Sequence, residues 1–296
     1  MIGMAGLSRS GLDNGPASSM RALSIICVLI FLATVAGASA ASLPSPQQVD
    51  IPLRGGGILH AQLYRPDGSG PFPAVIALHA CEGLSSHSDQ VRPRYRDWAK
   101  RLLKSGNAVL LPDSYGSREL GSQCKEPRLR ARRERVADVM ASRRWLLQQS
   151  WVAHDRISLI GWANGASALL WAVRPQVRRH NGEPDFRSAV AFYPDCRLSA
   201  GLGWSTRVPM LLLIGGRDDV SSPSACRQMV DGARGRSALV RIVVYAGADH
   251  DFDRANLPPN TLAGPSEGET PDRDWRGIDT EARTEAHKLV AEWLMQ

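Results

Sequence analysis

The clearest chemical pattern in the chain is a turn with glycine at both ends. The five residues after the apolar run at 157–160 are Gly161-Trp162-Ala163-Asn164-Gly165. A strand-to-helix turn of the form G-x-nucleophile-x-G exposes its middle side chain above a sheet, on strained backbone. Acyl transfer requires Ser or Cys there, and Ala163 has no atom able to attack a carbonyl. Taken alone, the pattern is equally explained by a chance spacing of two glycines.

Two later turns supply an acid and a base for the same chemistry. Asp218 and Asp219 follow the apolar run at 210–214, and His250 follows the run at 239–245. An acid that orients a histidine, which then acts as general base, completes a catalytic triad. The order nucleophile position, acid, base is the one found in triads built on such a turn. We take Asp218 as the acid and Asp219 as the alternative; solvated loop residues are the simpler interpretation of each residue alone.

Backbone N–H groups near the turn are candidates for an oxyanion hole. The first is the N–H of Asn164, directly after the nucleophile position, and the second is that of Cys81, in the loop after the apolar run at 74–79. Because the backbone supplies these donors, they survive most side-chain changes.

Three further side chains have weaker claims to a role. Ser167 lies one helical turn beyond Ala163 and should point away from the site. Cys81 could act as a displaced nucleophile from the oxyanion loop. Arg118, after the turn at Asp113, is a candidate contact for a substrate carboxylate, although a surface arginine is the simpler interpretation.

The elements that must position these residues alternate between short apolar runs and longer amphipathic stretches. This alternation predicts an α/β fold, a mainly parallel sheet with helices on both faces. Residues 48–53 and 59–64 are expected to form an antiparallel pair at its edge. Helices are predicted at 91–104, 126–149, 164–173, 223–232 and 279–294. Active sites of such sheets lie at the carboxyl ends of the strands, where the candidate residues fall. The Pro- and Gly-rich segment from about Arg254 to Arg276 is predicted to be a long functional or disordered loop.

The N-terminus has the pattern of a secretory signal. An apolar run at 25–35 follows Arg21 and precedes a small-x-small cleavage site at Ala38-Ser39-Ala40. The run is too short to span a bilayer comfortably, and an uncleaved anchor is the alternative. We therefore predict a signal peptide at 1–40, a single domain at 41–296, and a periplasmic or secreted protein.

Export changes the interpretation of the cysteines. Four remain after the signal: Cys81, Cys124, Cys196 and Cys226. An even number in an oxidising compartment indicates disulfides, and four cysteines allow three pairings. No CxxC occurs and the spacing fits no zinc site, so we expect neither a metal nor another cofactor.

The positive net charge of the chain makes nucleic acid a candidate partner. The formal net charge is +7 and the pI about 9.5. The densest arginine cluster, Arg128 to Arg144, contains apolar residues at helical spacing. We therefore interpret it as the basic outer face of a core-packed helix, and expect no nucleic acid. The mean hydropathy of −0.21 argues against a polytopic membrane protein, and no stable membrane insertion is expected after signal cleavage.

Together, the motifs resemble those of the dienelactone hydrolase family over residues 48–295. They are His79-x-Cys81-x-Gly83, Asp113-Ser114-Tyr115-Gly116, Gly161-Trp162-Ala163-Asn164-Gly165, Phe192-Tyr193-Pro194, Gly216-x-Asp218-Asp219 and His250-Asp251-Phe252. The resemblance implies an α/β-hydrolase fold, a Ser or Cys nucleophile, and hydrolysis of lactones or esters without a metal. Asp218 and His250 match the acid and the base, whereas Ala163 departs from the pattern.

The resemblance also bears on the cysteines. The sheet order of the family implies that the loop of Cys81 lies near that of Cys124, and Cys196 near Cys226, so two disulfides are expected. A bond to Cys124 would remove Cys81 as a nucleophile.

Three functions remain for a scaffold with alanine at the nucleophile position. The chain is a hydrolase disarmed by an engineered substitution, a natural pseudoenzyme that binds an ester- or lactone-like ligand, or a weak hydrolase in which His250 activates water directly. In each case the partner is a small-molecule ester or lactone.

Overall fold

The computed structural model describes residues 45–86, 90–177, 182–254 and 279–296. The predicted signal peptide at 1–40 lies outside these residues. So does the predicted loop at 254–276, apart from Arg254.

The described chain is built on one sheet of eight strands. The strands are β1 Gln47–Pro52, β2 Ile58–Tyr64, β3 Phe72–Leu78, β4 Ala108–Pro112, β5 Val152–Trp162, β6 Ala189–Phe192, β7 Met210–Gly215 and β8 Val240–Tyr245. Their order is β1-β2-β4-β3-β5-β6-β7-β8. β1 and β2 form the antiparallel pair expected at the edge, β2 is antiparallel to β4, and the remaining neighbours are parallel. Every residue of β4, β6 and β7 is buried, as expected for strands covered on both faces.

Six α-helices accompany the sheet within the described residues. They are α1 Pro93–Lys104, α2 Glu134–Leu146, α3 Asn164–Ala172, α4 Arg197–Gly201, α5 Pro223–Ala233 and α6 Thr280–Met295. The local sequence explains where several of these helices begin. Proline stands in the first turn of α1 and α5, where its missing N–H costs nothing. Side chains of Ser222 and Asp279 cap α5 and α6. No helix in the described ranges is long and apolar enough to cross a membrane.

The helix predicted at 126–149 is shorter than expected. α2 begins at Glu134, whose carboxylate accepts the N–H of Arg130 at 2.9 Å and holds the preceding chain in a turn. The interpretation of its arginines as an outer face is also wrong in part. Arg135 and Arg143 are buried, because they share the inward face of α2 with Val139 and Leu146.

Candidate active site

The glycine-flanked turn joins β5 to α3 at the carboxyl end of the sheet. Ala163 lies between them with φ 45° and ψ −109°, backbone angles that side chains rarely adopt. A Cβ at Gly161 would lie 2.8 Å from the carbonyl carbon of Gly165, and a Cβ at Gly165 would overlap the carbonyl oxygen of Leu78. Packing therefore requires both glycines, and a chance spacing does not account for them.

Hydrogen bonds on both sides hold Ala163 in this conformation. Its N–H donates to Phe192 O at 3.0 Å, and its carbonyl accepts the N–H of Ser167 at 2.8 Å. A non-glycine residue with positive φ costs on the order of 1–3 kcal/mol and persists where the surroundings over-determine it. The turn thus has the geometry of a nucleophile elbow, with a methyl group where a nucleophile would stand.

Asp218 and His250 lie together after β7 and β8. Asp218 Oδ2 is 2.8 Å from His250 Nδ1, and both residues are buried. Asp218 Oδ1 accepts the N–H groups of Val220 at 3.0 Å and Ser221 at 2.7 Å, so the carboxylate is held on both sides. His250 Nε2 has no hydrogen-bond partner among the described residues and is available to a substrate or water. Asp219, the alternative acid, is exposed.

Tyr193 packs against the histidine from the position directly after β6, the strand between β5 and β7 in the sheet. Its ring centroid is 4.5 Å from that of His250, and its backbone has φ 38°. Its hydroxyl donates to the buried carboxylate of Asp253. Sequence reasoning included Tyr193 in the family motif but assigned it no role, although its position directly after a buried strand was a usable signal.

Asp253 joins the loop of His250 to three other elements. Its Oδ2 accepts the indole N–H groups of Trp98 in α1 and Trp162 in β5, each at 2.8 Å. Its Oδ1 accepts the hydroxyl of Tyr193. Burial raises the pKa of Asp253 against the opposing charge of Arg94. Sequence reasoning missed this residue, since nothing in its neighbours along the chain marks it as buried.

The residue after the histidine is paired with a buried arginine. Arg94 Nη2, from α1, is 2.7 Å from Asp251 Oδ1, and Asp251 has φ 63°. Burial acts to raise the pKa of Asp251, but the charges of Arg94, His250 and Arg254 outweigh it and lower the pKa to about 2. This ion pair fixes the loop immediately beyond His250.

The loop after β3 carries the second predicted oxyanion donor. The N–H of Ala80 donates to Tyr95 Oη at 2.8 Å. The N–H of Cys81 donates to no other group among the described residues and is free for a ligand. Cys81 is bonded to Cys124, and its carbonyl accepts the N–H of Gln123 at 2.8 Å. Two links therefore join this loop to the segment that follows β4.

The structure contains both of the disulfides that the family resemblance implies. Cys81–Cys124 has its Cα atoms 4.8 Å apart, and Cys196–Cys226 has them 5.0 Å apart. The first bond occupies the sulfur of Cys81, which therefore has no thiol to act as a displaced nucleophile. One group of described residues has ligand atoms close enough together to hold a metal ion, and it consists of Cys81, Glu82 and Cys124. Its two sulfur atoms are bonded to each other in the disulfide.

The other two weaker candidates are committed to structural contacts. Ser167 Oγ donates to the carbonyl of Ala163 at 3.1 Å and accepts the N–H of Asp195 at 3.0 Å. Arg118 forms two hydrogen bonds with the buried carboxylate of Asp138, at 2.7 and 3.0 Å. Neither side chain is free to meet a ligand in this conformation.

Arg135 reaches the turn from α2, which sequence reasoning did not anticipate. Its Nη1 donates to Asn164 Oδ1 at 2.8 Å, and Tyr115 Oη donates to the same oxygen at 3.0 Å. The guanidinium carbon lies 5.2 Å from the centre of the Tyr115 ring. The spacing of Arg135 from Val139 and Leu146 was a signal for burial, but its charge suggested a surface residue.

A mainly parallel eight-stranded sheet with a strand–elbow–helix turn, an acid after β7 and a histidine after β8 defines the class of α/β-hydrolase-fold proteins. The sequence pattern of the dienelactone hydrolase family matches residues 59–296. The chain therefore belongs to the dienelactone hydrolase family.

Several individual proteins are similar to this chain in sequence or in structure. A protein of a Bradyrhizobium species named probable 2-oxo-3-(5-oxofuran-2-ylidene)propanoate lactonase is 26% identical over 214 residues, 69% of this chain and 82% of that protein. A putative dienelactone hydrolase from Klebsiella pneumoniae subsp. pneumoniae has a similar structure, with a TM-score of 0.63 and 20% identity over 85% of this chain and 98% of that one. A dienelactone hydrolase from Anabaena variabilis gives a TM-score of 0.57 and 21% identity over 85% and 98%. At these identities the solved structures support the fold alone.

Proposed function

We propose that this chain is an exported scaffold that binds a small carboxylic ester or lactone and, lacking a nucleophile at Ala163, turns it over slowly at most. The observation that carries the proposal is the strained elbow at Ala163 together with the paired Asp218 and His250. The partner is a small molecule, and no metal or other cofactor takes part.

The remaining groups can act on an ester through water. His250 Nε2 would take a proton from a water molecule as it attacks the carbonyl, and Asp218 would stabilise the imidazolium that forms. The N–H groups of Asn164 and Cys81 would receive the negative oxygen. In a serine protease, loss of the nucleophile costs about a million-fold in turnover and leaves roughly a thousand-fold over water. Direct water attack is therefore slow.

The family and the name of one relative support this ligand class. The family name refers to a dienelactone, and the Bradyrhizobium protein is named as a lactonase. A pseudoenzyme that binds such a ligand without turnover is the second candidate, favoured by the same alanine.

Export is supported by sequence and by cysteine chemistry. Residues 1–40 have the pattern of a signal peptide, and two disulfides suit an oxidising compartment. We propose a periplasmic or secreted location.

The proposal is tested by restoring a nucleophile. We expect Ala163→Ser to raise hydrolysis of a simple aryl acetate by roughly a thousand-fold or more, because the acid–base pair and the backbone donors are already in position. Initial rates are measured for the purified mature chain and the variant in the same buffer. Ala163→Ser combined with His250→Asn is the control and should lose the gain.

Each contrary outcome has a definite meaning. A folded Ala163→Ser variant with no gain contradicts the assignment of the triad. A gain that survives His250→Asn contradicts the role of His250. Fast hydrolysis by the unmodified chain would show that another nucleophile or direct water attack suffices, and that alanine does not disable the site.

A further inference from the structure

The two disulfides among the described residues differ in their exposure to solvent. Both cysteines of Cys196–Cys226 are fully buried. In Cys81–Cys124, by contrast, Cys81 is half-buried and Cys124 is exposed. Thiol–disulfide exchange begins when an external thiolate attacks one sulfur of the bond, so it requires access to that sulfur. Cys81–Cys124 is therefore the bond of the two that an external thiol can reach.

The surface next to Cys124 has the charge that favours such an attack. Three of the six residues that follow it are exposed cations, Lys125, Arg128 and Arg130, and one of them is an acid, Glu126. Positive charge beside a cysteine attracts and stabilises a thiolate. The exposed end of the disulfide thus lies in a segment that favours the approach of an anionic sulfur.

Cys81 is held in place by the segment that carries Cys124. Its sulfur is bonded to Cys124, and its carbonyl accepts the N–H of Gln123 at 2.8 Å. Cys81 makes no other hydrogen bond within the described part of the chain. Residues 119–133, which include Cys124, form no helix or strand. Breaking the disulfide would therefore leave a single hydrogen bond between Cys81 and a segment that has no regular structure of its own.

We propose that Cys81–Cys124 is a redox site, at which a dithiol reductant releases the loop after β3 from residues 119–133. One thiolate of the reductant bonds to Cys124 Sγ as the disulfide breaks, and Cys81 leaves as a thiolate. The second thiol of the reductant then displaces Cys124. Two electrons and two protons pass to the protein, which ends with two thiols, and the reductant ends as a disulfide. The reverse exchange with an oxidised dithiol restores the bond.

The redox site acts on the position of one backbone donor. The inference rests on the proposed function at this point, because the N–H of Cys81 is one of the two groups that would receive the negative oxygen of the ester. A donor of this kind works only when it is fixed in position, and loss of one costs about 10²–10³ in turnover. The reduced chain should therefore be the less active form.

The first measurement compares how fast the two disulfides are reduced. The unmodified mature chain is incubated in native buffer with dithiothreitol, and the free thiols are alkylated and located by mass spectrometry. We expect Cys81 and Cys124 to be labelled at least about tenfold faster than Cys196 and Cys226. The buried pair is the matched control within the same chain. Labelling of all four cysteines at one rate would overturn the proposal.

The second measurement follows the release of the loop by amide hydrogen exchange. In the selectively reduced chain, residues 80–86 and 119–133 should exchange faster, while β6 and β7 keep their protection. Cys81→Ser combined with Cys124→Ser should show this pattern without reductant and should not respond to it. If that variant fails to fold, the reduced unmodified chain carries the test alone. Unchanged exchange in both segments, or lost protection throughout the sheet, would contradict a local release.

The third measurement links the redox state to turnover. Hydrolysis of an aryl acetate by Ala163→Ser is measured before reduction, after reduction and removal of the dithiothreitol, and after reoxidation. We expect a reversible fall of about tenfold or more, and an unchanged rate would overturn the proposal. If Ala163→Ser is inactive even when oxidised, the proposed function fails, whereas labelling and hydrogen exchange still test the redox site. Esterase gain with equal labelling rates contradicts the redox site alone.

Discussion

Ala163 has the strained backbone angles of a nucleophile elbow but lacks the nucleophilic side chain that usually occupies this position. Glycine adopts positive φ without the steric cost that alanine has. We therefore expect Ala163→Gly to raise the free energy of unfolding by about 1 kcal/mol, or the Tm by roughly 2–4 °C. Urea denaturation checks this. Ala168→Gly, in the buried interior of α3, is the control and should be destabilising. A similar loss of stability in both variants would show that the elbow is not strained.

Residue types explain which site residues could be predicted from sequence. Ala163, Asp218 and His250 each follow an apolar strand, so the sheet places them at one edge. Choosing Asp218 over Asp219 rested on position alone, and the side chain that faces His250 is known only from the folded turn. Arg135 was misassigned because arginine is rarely buried, while its helical spacing from Val139 indicated the inward face.

At the scale of elements, Asp253 in the loop after β8 connects α1, β5 and the residue that follows β6. Its carboxylate receives two indole N–H groups and the hydroxyl of Tyr193. Asp253→Leu would leave three buried donors without an acceptor, so we expect a loss of about 3 kcal/mol or more in the free energy of unfolding. Asp253→Asn can accept both indoles through its oxygen and donate to Tyr193, and should cost about 1 kcal/mol.

Urea denaturation of both variants tests the network. Equal losses for Asp253→Leu and Asp253→Asn would show that the hydrogen bonds do not determine the effect. Contacts of this kind join residues far apart in the chain, such as Trp98 and Asp253, and periodicity cannot reveal them. The bounds of helices are hard to predict from sequence for the same reason. α2 begins at Glu134 rather than at 126 because the side chain of Glu134 contacts the backbone of Arg130.

At the scale of the whole molecule, ionisable groups that are buried or half-buried make stability depend on pH. Burial, with the charges of Arg101 and Arg283, lowers the pKa of His287 to about 4. The unfolded chain therefore takes up that proton first as the pH falls from about 6.5 to 4, and stability is lost in this window. His79 acts in the same direction. Asp251, with a pKa of about 2, adds a further loss between about pH 4 and 2.

Replacing His287 isolates its contribution to the pH dependence of the unfolding free energy. We expect His287→Leu to reduce the loss of unfolding free energy between about pH 6.5 and 4.5, because the leucine does not titrate. Among the residues that the structure describes, His287 Nε2 has no hydrogen-bond partner to lose. Urea denaturation of the parent and the variant at several pH values gives the two slopes. Identical slopes would exclude His287 as a contributor.

The elbow has a genetic consequence as well as a chemical one. Alanine codons differ from four of the serine codons in the first base alone, so one nucleotide change at position 163 would supply the missing hydroxyl. The glycines on either side, which packing demands, and the strained φ and ψ of the middle residue already suit that replacement. A lineage that carries this gene is therefore one mutational step from an elbow serine, with no further change needed in the fold.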